Sequence, residues 1–257
     1  ANIKMDAIDK NFKTYRSISQ TIPFMMLGLD MIQETYKNLQ IYEDIIKIYQ
    51  DNTQPMPLVT LHFDREKTDK LSETVLKFKT NRAKKYLVIY LGIYFPSFTG
   101  HSTVLLLQKK KNKVTMERFD PDYLVGDDQN MVDDYMHNLS LFLGVEYIPA
   151  SSACPYIGPQ RLGDRTSGYC QTYVLHYIRD RLVYAFANQV RVVSNTITKA
   201  LNKVLVEELE DIIKSIVAYI FAKYKITSDT RAMLLNYDNL DYNGKEAVVT
   251  YLVSLRK

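Results

Sequence analysis

The sequence predicts an α+β protein, in which a small mixed β-sheet is flanked by helices and the chain is helical near both ends. The strands are predicted by runs rich in β-forming apolar residues at 86–94, 101–107 and 114–119. The helices are predicted by apolar residues that recur every three or four positions near both ends. A chain of 257 residues, 46% of them hydrophobic, is long enough to bury a sizeable core.

The N-terminal part is predicted to be a helical extension. Apolar residues keep helical spacing through the first fifty residues, and Pro23 suits the first turn of a helix. The segment 52–57 contains two prolines, which interrupt this pattern. We therefore expect an N-terminal helical extension at 1–54 and a main domain at 55–257 that includes the C-terminal helices.

The main domain is predicted to begin with a short strand at 58–63 and a helix at 69–78. A buried strand follows at 86–94. The runs at 101–107 and 114–119 flank a polar turn, which predicts a β-hairpin. The remaining predicted elements are helices at 132–143, 169–187, 197–220 and 243–255 and a short strand at 145–149.

Charge and cysteine content restrict the class of protein. The net charge of +4 is mild and permits contact with nucleic acid without requiring it. We interpret the basic run at 109–111 as a solvated turn, with a weak DNA contact as the alternative. Two cysteines are too few for a secreted disulfide framework, and no signal peptide or membrane span is evident. We therefore expect an intracellular protein that acts in the host cytoplasm, is carried in a virion or is injected by a bacterium, with no membrane partner.

Cys170 is the candidate nucleophile. It follows Gly168 and Tyr169 at the predicted start of a helix, where free backbone N–H groups and the helix dipole favour a negative sulfur. Gly168 gives the backbone the freedom for a sharp entry into that helix. Cys154 is the alternative nucleophile, but it precedes Pro155, which favours an extended backbone over a helix start.

His101 is the candidate general base among four histidines. It opens a predicted strand directly after a loop, a position well suited to chemistry. His176 lies six residues after Cys170 on the same predicted helix, so the two side chains point to different faces. His137 is expected on a surface helix, and His62 is expected in the short strand near the start of the main domain.

Asp120 is the candidate acid that orients His101. It follows the second hairpin strand, and a hairpin brings the end of that strand beside the start of the first. Its carboxylate can then fix the imidazole ring and stabilise the imidazolium ion. Gln160, ten residues before Cys170 in an irregular loop, can donate an amide hydrogen bond to an oxyanion.

Four segments resemble, in their order along the chain, the cysteine proteases related to adenovirus protease and the SUMO-processing Ulp1 enzymes. They are residues 99–106, 117–121, 159–160 and 167–170. The resemblance covers about residues 85–180 and implies a papain-like fold of the adenain/Ulp1 type. It also implies a thiol protease with a catalytic triad and an oxyanion donor. The implied residues are His101 as base, Asp120 as its acid, Cys170 as nucleophile and Gln160 as oxyanion donor.

The resemblance also implies a class of substrate. Members of this superfamily often cleave after a glycine pair, either in virion precursor proteins or at the C-termini of ubiquitin-like proteins. We expect maturation of viral structural proteins, with removal of ubiquitin or SUMO as the alternative. The longer loop between Gln160 and Cys170 is more like that of members from large DNA viruses. The sequence departs from many members at Ser102, where they have tryptophan, and at Gln171, where they have glycine.

Two further hypotheses remain open. The same order of residues serves bacterial acetyltransferase effectors, which bind acetyl-coenzyme A. The fold could also be inactive and bind a partner through its helical additions. The chain has no paired-cysteine, HExxH, P-loop or dinucleotide motif, so we expect neither a metal nor a cofactor.

Overall fold

The computed structural model describes residues 2–50, 61–62, 65–94, 101–122, 127–153, 168–183 and 199–257. The helices in these ranges are α1 (Met5–Lys10), α2 (Phe12–Ile18), α3 (Ile22–Thr35), α4 (Arg65–Thr80), α5 (Asp127–Leu143), α6 (Ala150–Ala153), α7 (Cys170–Val183), α8 (Lys199–Lys223), α9 (Ser228–Leu235) and α10 (Tyr242–Leu255), with a 3₁₀ turn at Tyr237–Asn239. The strands are β1 (Leu39–Ile41), β2 (Ile46–Gln50), β3 (Leu61–His62), β4 (Tyr86–Tyr94), β5 (His101–Lys110), β6 (Lys113–Phe119) and β7 (Glu146–Ile148).

The seven described strands form one mixed sheet. Its order is β3-β2-β4-β5-β6-β7, and β1 also pairs with β4. The β1–β4, β2–β4 and β6–β7 pairs are parallel, whereas the β2–β3, β4–β5 and β5–β6 pairs are antiparallel. The predicted α+β class, with a small mixed sheet flanked by helices, is therefore confirmed.

Strand β4 is buried on both faces, which explains its uninterrupted apolar sequence. Val88 and Tyr90 pack into a core on one face, while Leu87 and Ile89 pack into a core on the other. Strand β5 alternates in the same way. Helices α4 and α5 cover the second face. The first face is covered by α7 together with the N-terminal and C-terminal helices, so the nucleophile candidate and its helix lie on this side.

The hairpin of β5 and β6 sets up the candidate site. Lys110 pairs with Lys113 at the turn, and Val104 pairs with Phe119 towards the open end. Strand β6 ends at Phe119, so the next residue, Asp120, lies beside the first residues of β5. The predicted hairpin is therefore confirmed, and its register explains how a residue nineteen positions away comes close to His101.

The helical prediction for residues 39–50 was wrong. These residues form β1 and β2, and both strands pair with β4 in parallel. Gln40 and Lys47 each lie between two buried apolar neighbours, and this two-residue period suits a strand with one buried face. Apolar residues at 39, 42, 46 and 49 also fit helical spacing, so the period alone does not separate the two structures.

The other predicted helices are present, with small differences at their ends. The predicted helices at 69–78 and 132–143 both start earlier in the structure, as α4 and α5. Gly144, after α5, adopts a positive φ of 66°, which is typical of a residue that ends a helix. Helix α9 was not predicted; its cap is Thr227, whose hydroxyl accepts the backbone N–H of Thr230 at 3.2 Å.

The basic turn is used within the fold. Lys109 Nζ donates to the backbone carbonyls of Asn81 and Lys84, at 2.6 and 2.8 Å. Lys113 pairs with Glu146 at 2.7 Å. Lys109, the first residue of the basic run, and Lys113, just after it, thus each have partners within the fold and stabilise the hairpin.

Several predictions fall outside the described residues. Cys154, Gln160 and the boundary near residue 54 are among them, so these stay predictions. No helix within the described ranges is long and apolar enough to cross a membrane. Within the same ranges, no group of three or more His, Cys, Asp and Glu side chains could hold a metal ion.

Candidate active site

The candidate site lies at the edge of the sheet where β5 begins and β6 ends. His101 is the first residue of β5, Asp120 directly follows β6, and Cys170 is the first residue of α7. His101 and Asp120 therefore meet at this edge, and α7, which begins with Cys170, packs against β5. The fourth, Gln160, lies in the stretch 154–167, outside the described residues.

His101 and Asp120 are hydrogen-bonded through Nε2 of the ring and Oδ1 of the carboxylate. An ionised carboxylate can only accept, so Nε2 carries the proton in this pair. The neutral ring then has its free lone pair on Nδ1, which is the nitrogen able to take a proton from a nucleophile. The contact predicted from the hairpin is present.

The Asp120 carboxylate is fully buried and accepts hydrogen bonds at both of its oxygens. Oδ1 also accepts the backbone N–H of Asp122 at 2.9 Å, and Oδ2 accepts Nε2–H of Gln129 at 3.0 Å. Arg118 Nη1 lies 3.7 Å from Oδ2. Burial by itself would raise the pKa of Asp120, but His101, Arg118 and Gln129 stabilise the ionised form and lower it to about 2.

The pKa of His101 is raised above its usual value. Burial favours the neutral ring and lowers the pKa, but the charges of Asp120 and Asp122 and the hydrogen bond that the ring donates to Asp120 raise it by more. Arg118 opposes this shift. The imidazolium form is therefore stabilised, as a proton shuttle requires once it has taken a proton.

Cys170 carries a free thiol that is partly exposed. Burial raises the pKa of this thiol, and the nearby charge of Asp120 adds to the effect. Hydrogen bonds from the backbone N–H groups of Cys170 and Gln171 and from the Ser102 hydroxyl lower the pKa, but by less. The helix start thus favours the thiolate as the sequence predicts, yet burial outweighs it. A neutral thiol needs a base before it can attack.

Ser102, which the sequence marked only as a departure from many members of the resembled family, was not predicted to be a site residue. It is buried next to His101, and its Oγ lies 2.8 Å from the Tyr90 hydroxyl. A hydrogen bond from the Ser102 hydroxyl is one of the causes that lower the pKa of the Cys170 thiol. Tyr90 and Ser102 thus form a short chain of hydroxyls. Alternation along β5 carries the signal, because Val104 and Leu106 lie on the α7 side of the sheet and Ser102 shares their side.

Gly168 shapes the entry into α7, the helix that begins with Cys170. It has a positive φ of 73°, a conformation that favours glycine. A Cβ at this position would lie only 2.7 Å from Nε2 of Gln20, which belongs to the N-terminal segment. The Arg16 guanidinium lies 5.8 Å from the ring centroid of Tyr169. Residues before α3 therefore contact the chain immediately ahead of Cys170.

The other histidines lie elsewhere in the fold. His176 Nε2 is 2.7 Å from the carboxylate of Glu208, and its Nδ1 is 3.5 Å from Asp180. This cluster ties α7 to α8, away from the thiol. His137 is exposed on α5, as predicted, and His62 lies in β3.

Comparison with known proteins gives structural likeness only. No protein-family model and no curated protein sequence matches the chain. The ASFV pS273R protease is similar over 80% of this chain and 68% of its own, at 14% identity and a TM-score of 0.44. The Legionella pneumophila effector protein RavZ is similar over 78% of this chain and 60% of its own, at 10% identity and a TM-score of 0.46. At these TM-scores, the function has to be argued from the residues of this chain.

Proposed function

We propose that this chain is a thiol protease that hydrolyses peptide or isopeptide bonds. Cys170 is the nucleophile, His101 the general base and Asp120 the residue that orients it. The observation that carries the proposal is the hydrogen bond from His101 Nε2 to the buried carboxylate of Asp120, and it is supported by the free thiol of Cys170 at the start of α7, which packs against β5. Such an arrangement of nucleophile, base and orienting acid is recognised by geometry and roles.

The raised pKa of Cys170 decides how the first step proceeds. Because burial keeps the thiol neutral, His101 takes its proton through Nδ1 as the sulfur attacks the scissile carbonyl. The imidazolium ion that forms is stabilised by Asp120, whose pKa of about 2 keeps it ionised. The proton then passes from His101 to the leaving amine, and a thioester to Cys170 remains.

The oxyanion that forms during attack needs hydrogen-bond donors. The backbone N–H groups of Cys170 and Gln171 lower the pKa of the thiol, so they are suited to stabilise a neighbouring oxyanion as well. We propose Gln160 as a further donor, on the basis of the family resemblance. Water, deprotonated by His101, then hydrolyses the thioester and restores the free thiol. These steps need neither a metal nor a cofactor.

We propose that cleavage follows a glycine pair and serves the maturation of viral structural proteins, in the host cytoplasm or the virion. The basis is the resemblance of the four sequence segments. The test uses fluorogenic substrates that end in Gly-Gly, either as a bare peptide or as the C-terminus of whole ubiquitin or SUMO. Wild type is compared with Cys170→Ala.

The outcomes separate the possible functions. Equal rates on the bare peptide and the whole modifiers support a precursor protease and exclude a modifier protease. A much higher rate on a whole modifier would assign removal of that modifier. No cleavage, together with stabilisation by acetyl-coenzyme A in a thermal-shift titration, would replace the protease proposal with acetyl transfer. No cleavage and no stabilisation would leave an inactive binding module.

A further inference from the structure

Gln129 lies close to the candidate acid although it is distant from the predicted motif. It is the third residue of α5, on the face of the sheet opposite α7. Its Nε2–H donates to Asp120 Oδ2 at 3.0 Å, and its Oε1 accepts from Arg118 Nη2 at 2.7 Å. Both ends of one amide are therefore used, one on each partner.

Arg118 provides the other end of this bridge. Its side chain is fully buried, and Nε and Nη2 donate to Asp133 Oδ1 at 3.1 and 3.0 Å. Nε also donates to the Tyr147 hydroxyl at 3.0 Å. A buried guanidinium held in this way has little freedom to move. Gln129 thus connects the Asp120 carboxylate to a fixed point rather than to another mobile side chain.

The donors around Asp120 are divided between its two oxygens. Oδ1 accepts from His101 and from the backbone N–H of Asp122, and Oδ2 accepts from Gln129. Arg118 Nη1 lies 3.7 Å from Oδ2, beyond hydrogen-bond distance. Gln129 thus donates a hydrogen bond to the oxygen that does not accept from His101, and this bond restrains rotation of the carboxylate.

We propose that Gln129 is a positioning residue, an amide bridge that locks the Asp120 carboxylate to Arg118 so that Oδ1 stays aimed at His101. The catalytic consequence rests on the proposed protease function, whereas the bridge itself does not. A glutamine is required because it donates and accepts at once. An ionised glutamate could accept from Arg118 but could not donate to Asp120.

Two variants separate the bridge from a merely structural role. Gln129→Ala removes the bridge, and Gln129→Glu keeps its shape but places a negative charge beside Asp120. Asn130→Ala is the matched control, because Asn130 is the exposed neighbour on the same helix. The pKa of His101 is read from the ring C–H signals in NMR spectra of the full chain, with His101→Gln for assignment. The charged groups that face His101 are Asp120, Asp122 and Arg118.

The two variants are expected to move the His101 titration in opposite directions. Gln129→Ala loosens the contact with Asp120 and lowers the pKa of His101 by about 0.5 unit, whereas the added charge in Gln129→Glu raises it. In Gln129→Ala we also expect kcat to fall about tenfold with KM unchanged. The control variant matches wild type in both measurements.

Failure of the bridge and failure of the protease function give different results. An unchanged His101 titration in both Gln129 variants, each shown by thermal unfolding to be folded, overturns the bridge even if the wild type is an active protease. If wild type and both variants cleave nothing, but the two variants shift the pKa of His101 in opposite directions from wild type, the bridge is supported and the protease function is refuted. Shifts in the same direction, or equal shifts in the control, would also overturn the bridge.

Discussion

At the scale of single residues, His101 and Asp120 stabilise each other's charged forms. Burial alone would lower the pKa of His101 and raise that of Asp120, so that both would be neutral. Their contact reverses both shifts and leaves Asp120 ionised with a pKa of about 2. His101 is therefore the member of the pair that titrates in the working pH range.

This pairing predicts the pH dependence of activity. In the proposed mechanism neutral His101 is the base, so kcat/KM should rise with pH through an apparent pKa that is higher than the usual value of a histidine. Asp120→Asn removes the charge that raises the pKa of His101. The rising limb should therefore move to lower pH, while kcat falls about 100-fold because the ring is no longer held. A full pH profile measures both effects.

Asp134→Asn is the control for this experiment. Asp134 is an exposed carboxylate on α5, and its loss should leave the profile unchanged. A rising limb that stays in place in Asp120→Asn would contradict the assignment of that limb to His101.

How much of the site could be predicted depends on how its residues are connected. The contact between His101 and Asp120 follows from a local hairpin, whose register a turn sets. The contacts of Gln129 could not be predicted in this way. They depend on how α5 packs across the sheet, and the helical period does not fix that packing. The chain from Tyr90 to Ser102 likewise depends on the pairing of β4 with β5.

At the scale of elements, the helix of the nucleophile is tied to the hairpin by buried polar groups. The Tyr177 hydroxyl donates to the Glu117 carboxylate, and Arg181 Nε donates to the same carboxylate at 2.9 Å. The rings of Tyr177 and Phe119 stack with their centroids 4.1 Å apart. These contacts fix α7 against β6, and so they set the position of Cys170 relative to Asp120.

Tyr177→Phe tests this tie between the helix and the strand. The variant keeps the ring stack but removes a hydrogen bond to a buried charge, so the free energy of unfolding should fall by about 2 kcal/mol. Tyr242→Phe is the control, because Tyr242 is 77% exposed. Urea unfolding measures both variants. Equal stability of Tyr177→Phe and wild type would show that the hydroxyl does not hold α7.

The elements that were predicted wrongly show where sequence periodicity fails. The strands β4, β5 and β6 are long and apolar, and they were predicted because each run is clear by itself. The strands β1 and β2 are short, and they form by parallel pairing with β4, more than forty residues further along the chain. The two-residue periods around Gln40 and Lys47 are too short to outweigh the helical spacing of the apolar residues at 39–50, so the period alone did not decide between strand and helix.

At the scale of the whole molecule, the N-terminal and C-terminal helices share one core with α7. This core contains residues of α3, α7, α8 and α10 together with one face of the sheet. The N-terminal helices are thus packed beside the helix of the nucleophile. The boundary near residue 54 stays a prediction, but β1 and β2, which precede it, belong to the same sheet as β4.

Gly28 on α3 tests how closely these helices are packed. A Cβ at this position would lie 2.8 Å from Cδ1 of Ile216 on α8 and 2.8 Å from Cδ1 of Leu175 on α7. Both neighbours are buried, so Gly28→Ala should destabilise the fold although alanine favours helices. We expect a net loss of about 1 kcal/mol in the free energy of unfolding, measured in urea.

The control for Gly28→Ala is Lys13→Ala, at an exposed position on α2. It should leave the free energy of unfolding unchanged within about 0.5 kcal/mol. A gain in stability in Gly28→Ala would mean that the three helices have room to move apart.

The most direct test of the central claim is labelling with an electrophilic probe built on Gly-Gly. Wild type, Cys170→Ala and Cys154→Ala are labelled side by side. We predict that labelling is lost in Cys170→Ala and retained in Cys154→Ala, because Cys170 begins α7, which packs against the strand that His101 opens. Unchanged labelling of Cys170→Ala, or no labelling of the wild type, would contradict the assignment of Cys170 as the nucleophile.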